Sequence, residues 1–265
     1  MEERIKLWQW PNILAVDASL VAMAWLWFFA ATLPASLNFT AYAVLGLSVW
    51  LTYTADRLLD IRRRPPEKLL SKRHRFAKRH SQKLWPLWAV ILATNILLAL
   101  LTLDERQLHF GFVLLSICLT YTALNQALSK HFFPKEPLVA IIFAGGTQIF
   151  LPRFSDSATL LAFTGICLLN CLLISQKEQV IDARLRVYSL GNRLATRWIR
   201  PLFLVCLLLS TLCESRSALL PTTLCLWLLA EKENAFEVEP FRVFCDTVLL
   251  VGPIFYFFLS AVFVR

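Results

Sequence analysis

Asp56 and Asp60 stand four residues apart in "LTYTADRLLD", where an apolar run ends. On a helix that spacing stacks two carboxylates on one face, about 6 Å apart at Cβ. Glu178 and Asp182, in "EQVID", repeat the spacing at the end of another apolar run. Four carboxylates brought together repel strongly unless a counter-charge lies between them. A hard divalent cation with oxygen ligands removes that repulsion, and Mg2+ held by a few carboxylates typically shares its sphere with substrate phosphates. The bases around the pairs (Arg57, Arg62, Arg63, Arg64, Lys72, Arg73 and Lys177) are suited to hold diphosphate oxygens that a metal does not reach. The competing reading is local. Each acid pair is then solvated and salt-bridged on its own helix, Asp56 to Arg63 and Asp182 to Arg186 for instance. Spacing alone leaves both readings open.

The elements that must carry these acids are long and apolar. The chain has 265 residues, of which 57% are hydrophobic and 17% charged. Several runs of about 18 to 22 residues carry almost no charge, the length that crosses a hydrocarbon layer of roughly 30 Å. This composition predicts an all-α polytopic membrane helix bundle. Nine spans are expected, at about 12–33, 38–58, 84–103, 108–128, 136–153, 158–176, 199–213, 217–230 and 243–264. The first run ends in "FFAATLPAS" and mimics a signal peptide, but its length and the spans behind it predict an uncleaved helix. With no linker or low-complexity tract, residues 1–265 read as a single transmembrane domain.

The formal charge of +9 is an orientation signal here and not a sign of nucleic-acid binding. Basic residues concentrate between Arg57 and Lys83 and between Lys177 and Arg200, whereas "LDER", "PRFSDS" and "CESR" carry few. The positive-inside rule therefore puts the N-terminus and both acidic motifs in the cytoplasm and the C-terminus outside an inner or plasma membrane. The acidic stretch "EKENAFEVEP" dissents, but acids weigh little in that rule. Seven cysteines lie within or at the ends of apolar runs without a CxxC pair, which reads as buried small hydrophobes.

On these motifs the chain resembles the UbiA superfamily of intramembrane prenyltransferases, and the resemblance runs over nearly its whole length. That family has nine helices, an NDxxDxxxD-type motif after the second and a DxxxD-type motif after the sixth. "TYTADRLLD" matches the first motif at Asp56 and Asp60, with Thr52 and Tyr53 where the family has Asn and Asp. "EQVID" matches the second, with Glu178 replacing its first Asp and Asp182 retained. "YTALNQALSKHFFPKEPLVAIIFAGG" resembles the family's Tyr…Lys segment, which brings in Tyr121 and makes Lys130 a diphosphate-side base. The family's Arg-Pro segment is replaced by "SKRHRFAKRH".

The resemblance implies a Mg2+-dependent transfer of an isoprenyl group from a prenyl diphosphate to a hydrophobic acceptor within the bilayer. Asp56, Asp60, Glu178 and Asp182 would bind the metal; Lys130, Lys72, Arg73, Lys177 and Arg57 would face the diphosphate. Asn170 lies two turns before Glu178 and either lines the same cavity or hydrogen-bonds between helices, as Asp17, Asn95, Asn125 and Gln148 also could. Two rival functions remain: a non-catalytic relative that binds a lipid diphosphate or packs with membrane partners, and a small cation- or proton-coupled transporter. Acids at a cytoplasmic exit, away from the bilayer midplane, weigh against the transporter.

Overall fold

The computed structural model describes residues 5–33, 35–62, 71–128, 133–185, 190–193 and 198–263, except the side chains of Asp182, Arg184, Leu185, Asn192, Arg193 and Phe263. Regular structure among them is helical: α1 (Trp10–Ile13), α2 (Val16–Thr32), α3 (Phe39–Arg62), α4 (Lys72–Thr102), α5 (Glu105–Leu128), α6 (Lys135–Gln148), α7 (Ser157–Lys177), α8 (Gln179–Leu185), α9 (Leu190–Arg193), α10 (Ile199–Leu212), α11 (Arg216–Glu231), α12 (Val238–Val248) and α13 (Val251–Phe263). Lys130 and the basic residues Arg63 and Arg64 lie outside the described residues.

Every apolar run read as a span contains a helix, but the helices differ in reach. By length and composition four can cross a membrane: α4, α5, α7 and the stretch Val238–Val262; a fifth is added if the bent pair Leu7–Ile13 and Val16–Thr32 counts as one span. At 1.5 Å per residue, the 14 residues of α6 and of α10 cover only about 21 Å of a roughly 30 Å layer. α3 has 24 residues, but Ser, Thr and Tyr and the Asp56–Asp60 end dilute its apolar character.

α7 and α2 form the middle of the bundle. Trp25, Phe28 and Phe29 of α2 and Phe163 of α7 are fully buried, with the Trp25 and Phe163 rings 4.4 Å apart. The Trp25 indole N–H donates to the Leu249 carbonyl (2.8 Å), so the aromatic core also fixes the junction of α12 and α13. α4 and α5 contrast with α7: only 6% of their most apolar windows is buried inside the protein, against 50% for α7. Leu100, Leu101, Phe112 and Leu119 there face outward, as residues whose solvent is lipid do.

Before α2 the chain turns by 77°. Ala15 takes a left-handed φ of 59°, a conformation that costs a non-glycine residue energy and persists only when neighbours enforce it. α3 supplies the enforcement. The Trp50 indole donates to the Leu14 carbonyl (2.9 Å) and Arg57 Nη1 donates to the Ile13 carbonyl (2.8 Å), satisfying two acceptors that the break leaves outside the helix ladder. Arg57, expected at the diphosphate, is thus a buried brace for the bend. Arg57→Met keeps the aliphatic stem and removes the donor. It is expected to cost ~1–3 kcal/mol in thermal unfolding in detergent, the penalty of one stranded buried acceptor, while leaving any anion-dependent stabilisation unchanged.

Candidate functional site

Polar side chains gather at one end of the bundle, where α3 and α7 finish and α4 and α12 begin. Lys78 of α4 donates to the Ile61 carbonyl at the end of α3 (3.1 Å), and Ser71, as N-cap of α4, pairs with His74 Nδ1 (2.7 Å). These contacts hold the basic start of α4 against the rest. Arg73 then reaches Glu178, just beyond α7: its Nη2 donates to both carboxylate oxygens, at 3.1 and 2.9 Å.

From the other side Arg242 of α12 donates to Glu178 Oε1 through Nη1 (2.6 Å), to Glu239 Oε2 through Nη2 (2.7 Å), and to Asn12 Oδ1 through Nε (3.0 Å). Arg242 is only 1% exposed, so three acceptors from three segments are organised by one dry guanidinium. Glu239 also accepts from the backbone N–H of Lys72 (2.9 Å), whose ammonium donates to Gln9 (3.4 Å). Here the acidic stretch "EKENAFEVEP" finds its reason: its Glu239 meets the basic α4 start and Arg242. Burial alone would raise the Glu178 carboxyl, but the guanidiniums of Arg73 and Arg242 outweigh burial and hold it at about 2.

The first acid pair sits elsewhere on the same end. Asp60 Oδ1 accepts from Gln126 Nε2 of α5 at 3.4 Å, and Asp56 lies one turn back on α3. Tyr121 of α5 is buried, its ring 6.1 Å from that of Phe133. Lys177 donates to the Glu233 carbonyl (2.9 Å) and lies over the Phe241 ring. Asn170 makes the interhelical bond, its amide donating to Asp246 Oδ1 of α12 (3.2 Å). Asp182 is on α8, but its side chain lies outside the described residues.

So the structure joins Glu178, Arg73 and Lys72 in one network and sets Asp60 against Gln126 of α5. Among the described residues no three His, Cys, Asp or Glu side chains gather as a metal-holding group. Asp56 and Asp60 offer the hard oxygen donors and spacing that suit a Mg2+ ion keeping several waters and phosphate oxygens. Both Glu178 oxygens already accept from guanidiniums, so a Mg2+ ion there would compete with Arg73 and Arg242. An apolar cavity of about 230 Å3 lies beside α3 and α4, lined by Trp50, Thr54, Phe76, Leu84 and Leu87 among others.

Arg242, Glu239, Asn12 and Asp246 were not singled out by sequence reasoning. One signal was available: "FRVFCD" puts an arginine and an aspartate four residues apart inside an apolar run, where each is costly without a partner. Set against family models, curated proteins and solved structures, the chain matches none.

Proposed function

We propose that this chain is a membrane prenyltransferase of UbiA-like organisation, with nine membrane passages, in which Asp56 and Asp60 carry the metal end of a prenyl diphosphate. The observation that carries the reading is the carboxylate pair one turn apart at the polar end of α3, beside the basic start of α4 and the Gln126 face of α5. Bound Mg2+ would neutralise the diphosphate and so favour its departure from the allylic carbon.

The residues do the rest. Asp56 and Asp60, with Asp182 from α8, supply carboxylate oxygens; Lys72, Arg73 and Lys130 supply donors for the remaining phosphate oxygens. The apolar faces of α3 and α4 exclude water from the allylic cation until an acceptor carbon or oxygen captures it and gives up its own proton, with diphosphate as the leaving group. Glu178 has a changed role: it orients Arg73 from behind instead of ligating metal. Its full engagement by arginines also favours a second reading, a relative that binds a lipid diphosphate without transferring its chain.

Two measurements test this. Purified protein incubated with radiolabelled prenyl diphosphates and a membrane extract is expected to form an apolar labelled product with Mg2+ and none with EDTA. Chelation-sensitive binding without product would support the second reading, and the absence of both would end the proposal. For orientation, a reporter fused after Lys78 is expected on the cytoplasmic side and one after Arg265 outside. Both on one side would break the nine-passage count.

A further inference from the structure

Away from the Asp56–Asp60 pair, Asp17 of α2 and Asp246 of α12 face each other across one side chain. Asn12 Nδ2 donates to Asp17 Oδ2 (2.6 Å) and to Asp246 Oδ2 (3.0 Å). The orientation of that carboxamide is not arbitrary. Arg242 Nε can only donate, so the Asn12 atom it meets at 3.0 Å is the oxygen, and the nitrogen must face both acids. The remaining partners of the pair are equally neutral: Asp17 Oδ1 accepts from the Ala18 N–H (2.9 Å), and Asp246 Oδ1 from Asn170 Nδ2 (3.2 Å). Among the described residues neither acid takes part in an ion pair. The nearby guanidiniums are committed elsewhere, Arg57 to the Ile13 carbonyl, Arg73 to Glu178, and Arg242 to Glu178 and Glu239.

A second observation comes from α7. Asn170 is 6% exposed, and its Oδ1 has no hydrogen-bond partner among the described residues. With Tyr53, Cys167, Cys171 and Asp246 it lines a small pocket of about 30 Å3. Turning the Asn170 carboxamide by 180° would exchange Nδ2 for Oδ1 opposite Asp246. The oxygen then gains a donor, provided Asp246 carries a hydrogen, while the amide N–H groups turn to where the oxygen was. Two like charges bridged by one amide nitrogen, in apolar helices and without a cation in contact, also favour holding one proton between them.

We propose that Asp17 and Asp246 form a proton-binding site in which the pair holds one proton, resting on Asp246 and donated to Asn170. Only an O–H bond forms, with the proton drawn from solvent. The groups around the site are Asn12 from α1, Tyr53 and Arg57 from α3, Arg73 from α4, Cys167 and Cys171 from α7, and Arg242 and Cys245 from α12, with Glu178 and Glu239 behind Arg242. The inference does not depend on the prenyltransferase reading, since it uses none of the residues assigned to the metal.

The test is pH-difference infrared spectroscopy of the full chain in lipid nanodiscs with isotope-labelled aspartate. A protonated aspartate C=O band is expected to persist above the ordinary carboxylate range, titrating as one proton and absent from Asp246→Asn. Asp17→Asn removes the like charge and is expected to lower the band's midpoint by about 1 pH unit, a tenfold loss of proton affinity. Asn170→Leu keeps both acids and removes both the acceptor of the proton and the donor to ionised Asp246; the bond to the ionised carboxylate is the stronger of the two, so the midpoint is expected to rise, which serves if Asp246→Asn does not fold. The inference is overturned by a wild type with no such band, by a band that survives Asp246→Asn, by midpoints unmoved in Asp17→Asn and Asn170→Leu, or by displacement of the proton by Na+ or K+, which would make the pair a cation site.

Discussion

Replacing Arg242 with leucine is expected to lower stability by ~3–5 kcal/mol, because it breaks a buried ion pair by removing one partner. The guanidinium is 1% exposed and serves Glu178, Glu239 and Asn12 together, so its loss leaves one carboxylate in a dry site with fewer donors and releases the segment that orients the others. Unfolding in mixed micelles reads the cost. Adding Glu178→Gln to Arg242→Leu is expected to recover part of it, since the second change removes the charge that the first stranded. A cost under about 1 kcal/mol would mean that the network is solvated like a surface pair.

The same carboxylate dictates an acid limb. The Glu178 pKa is depressed from 4.5 to about 2 in the folded protein. Its contribution is therefore fully present above the unfolded value and is lost as pH falls from about 4.5 toward 2. In Glu178→Gln the melting temperature is expected to change less across that window than in wild type.

Asp60→Asn is expected to abolish the joint stabilisation of the protein by prenyl diphosphate and Mg2+. By mass action a ligand at a hundred times its Kd adds ~2.7 kcal/mol, and the variant should show close to none of it while its own melting temperature stays near wild type. Size and most hydrogen-bonding capacity are conserved, including the contact with Gln126. Asp182→Asn is expected to do the same, and the double variant to lose little more, because the first loss already disables a shared site. Small, additive effects with diphosphate binding intact would reduce both acid pairs to local helix-end charges and remove the ground for an enzyme.

Much of the architecture was legible in the residue pattern. Runs without charge give helices because a buried backbone must satisfy itself, and every such run here holds one. Their reach was less legible. α6 and α10 stop at 14 residues, and the break at Ala15 is held by Trp50 and Arg57 from another helix, through contacts that have no local trace. The same holds for the acids. The i,i+4 spacing of Asp56 and Asp60 is a property of one helix and could be read directly. Whether Glu178 would join them depended on what packs opposite it.

The sequence by itself determined that the chain is an apolar helical protein, that its charges collect at helix ends, and that carboxylates stand in pairs one turn apart. These follow from composition and helical period, which need no partner to be computed. Only the tertiary structure decided that Arg73 and Arg242 close on Glu178, that Glu239 meets the basic start of α4, and that Asn12 bridges Asp17 and Asp246. Those contacts join residues up to 234 positions apart. A buried charge takes its state from whichever donor the packing brings near, and spacing along the chain carries no record of that choice.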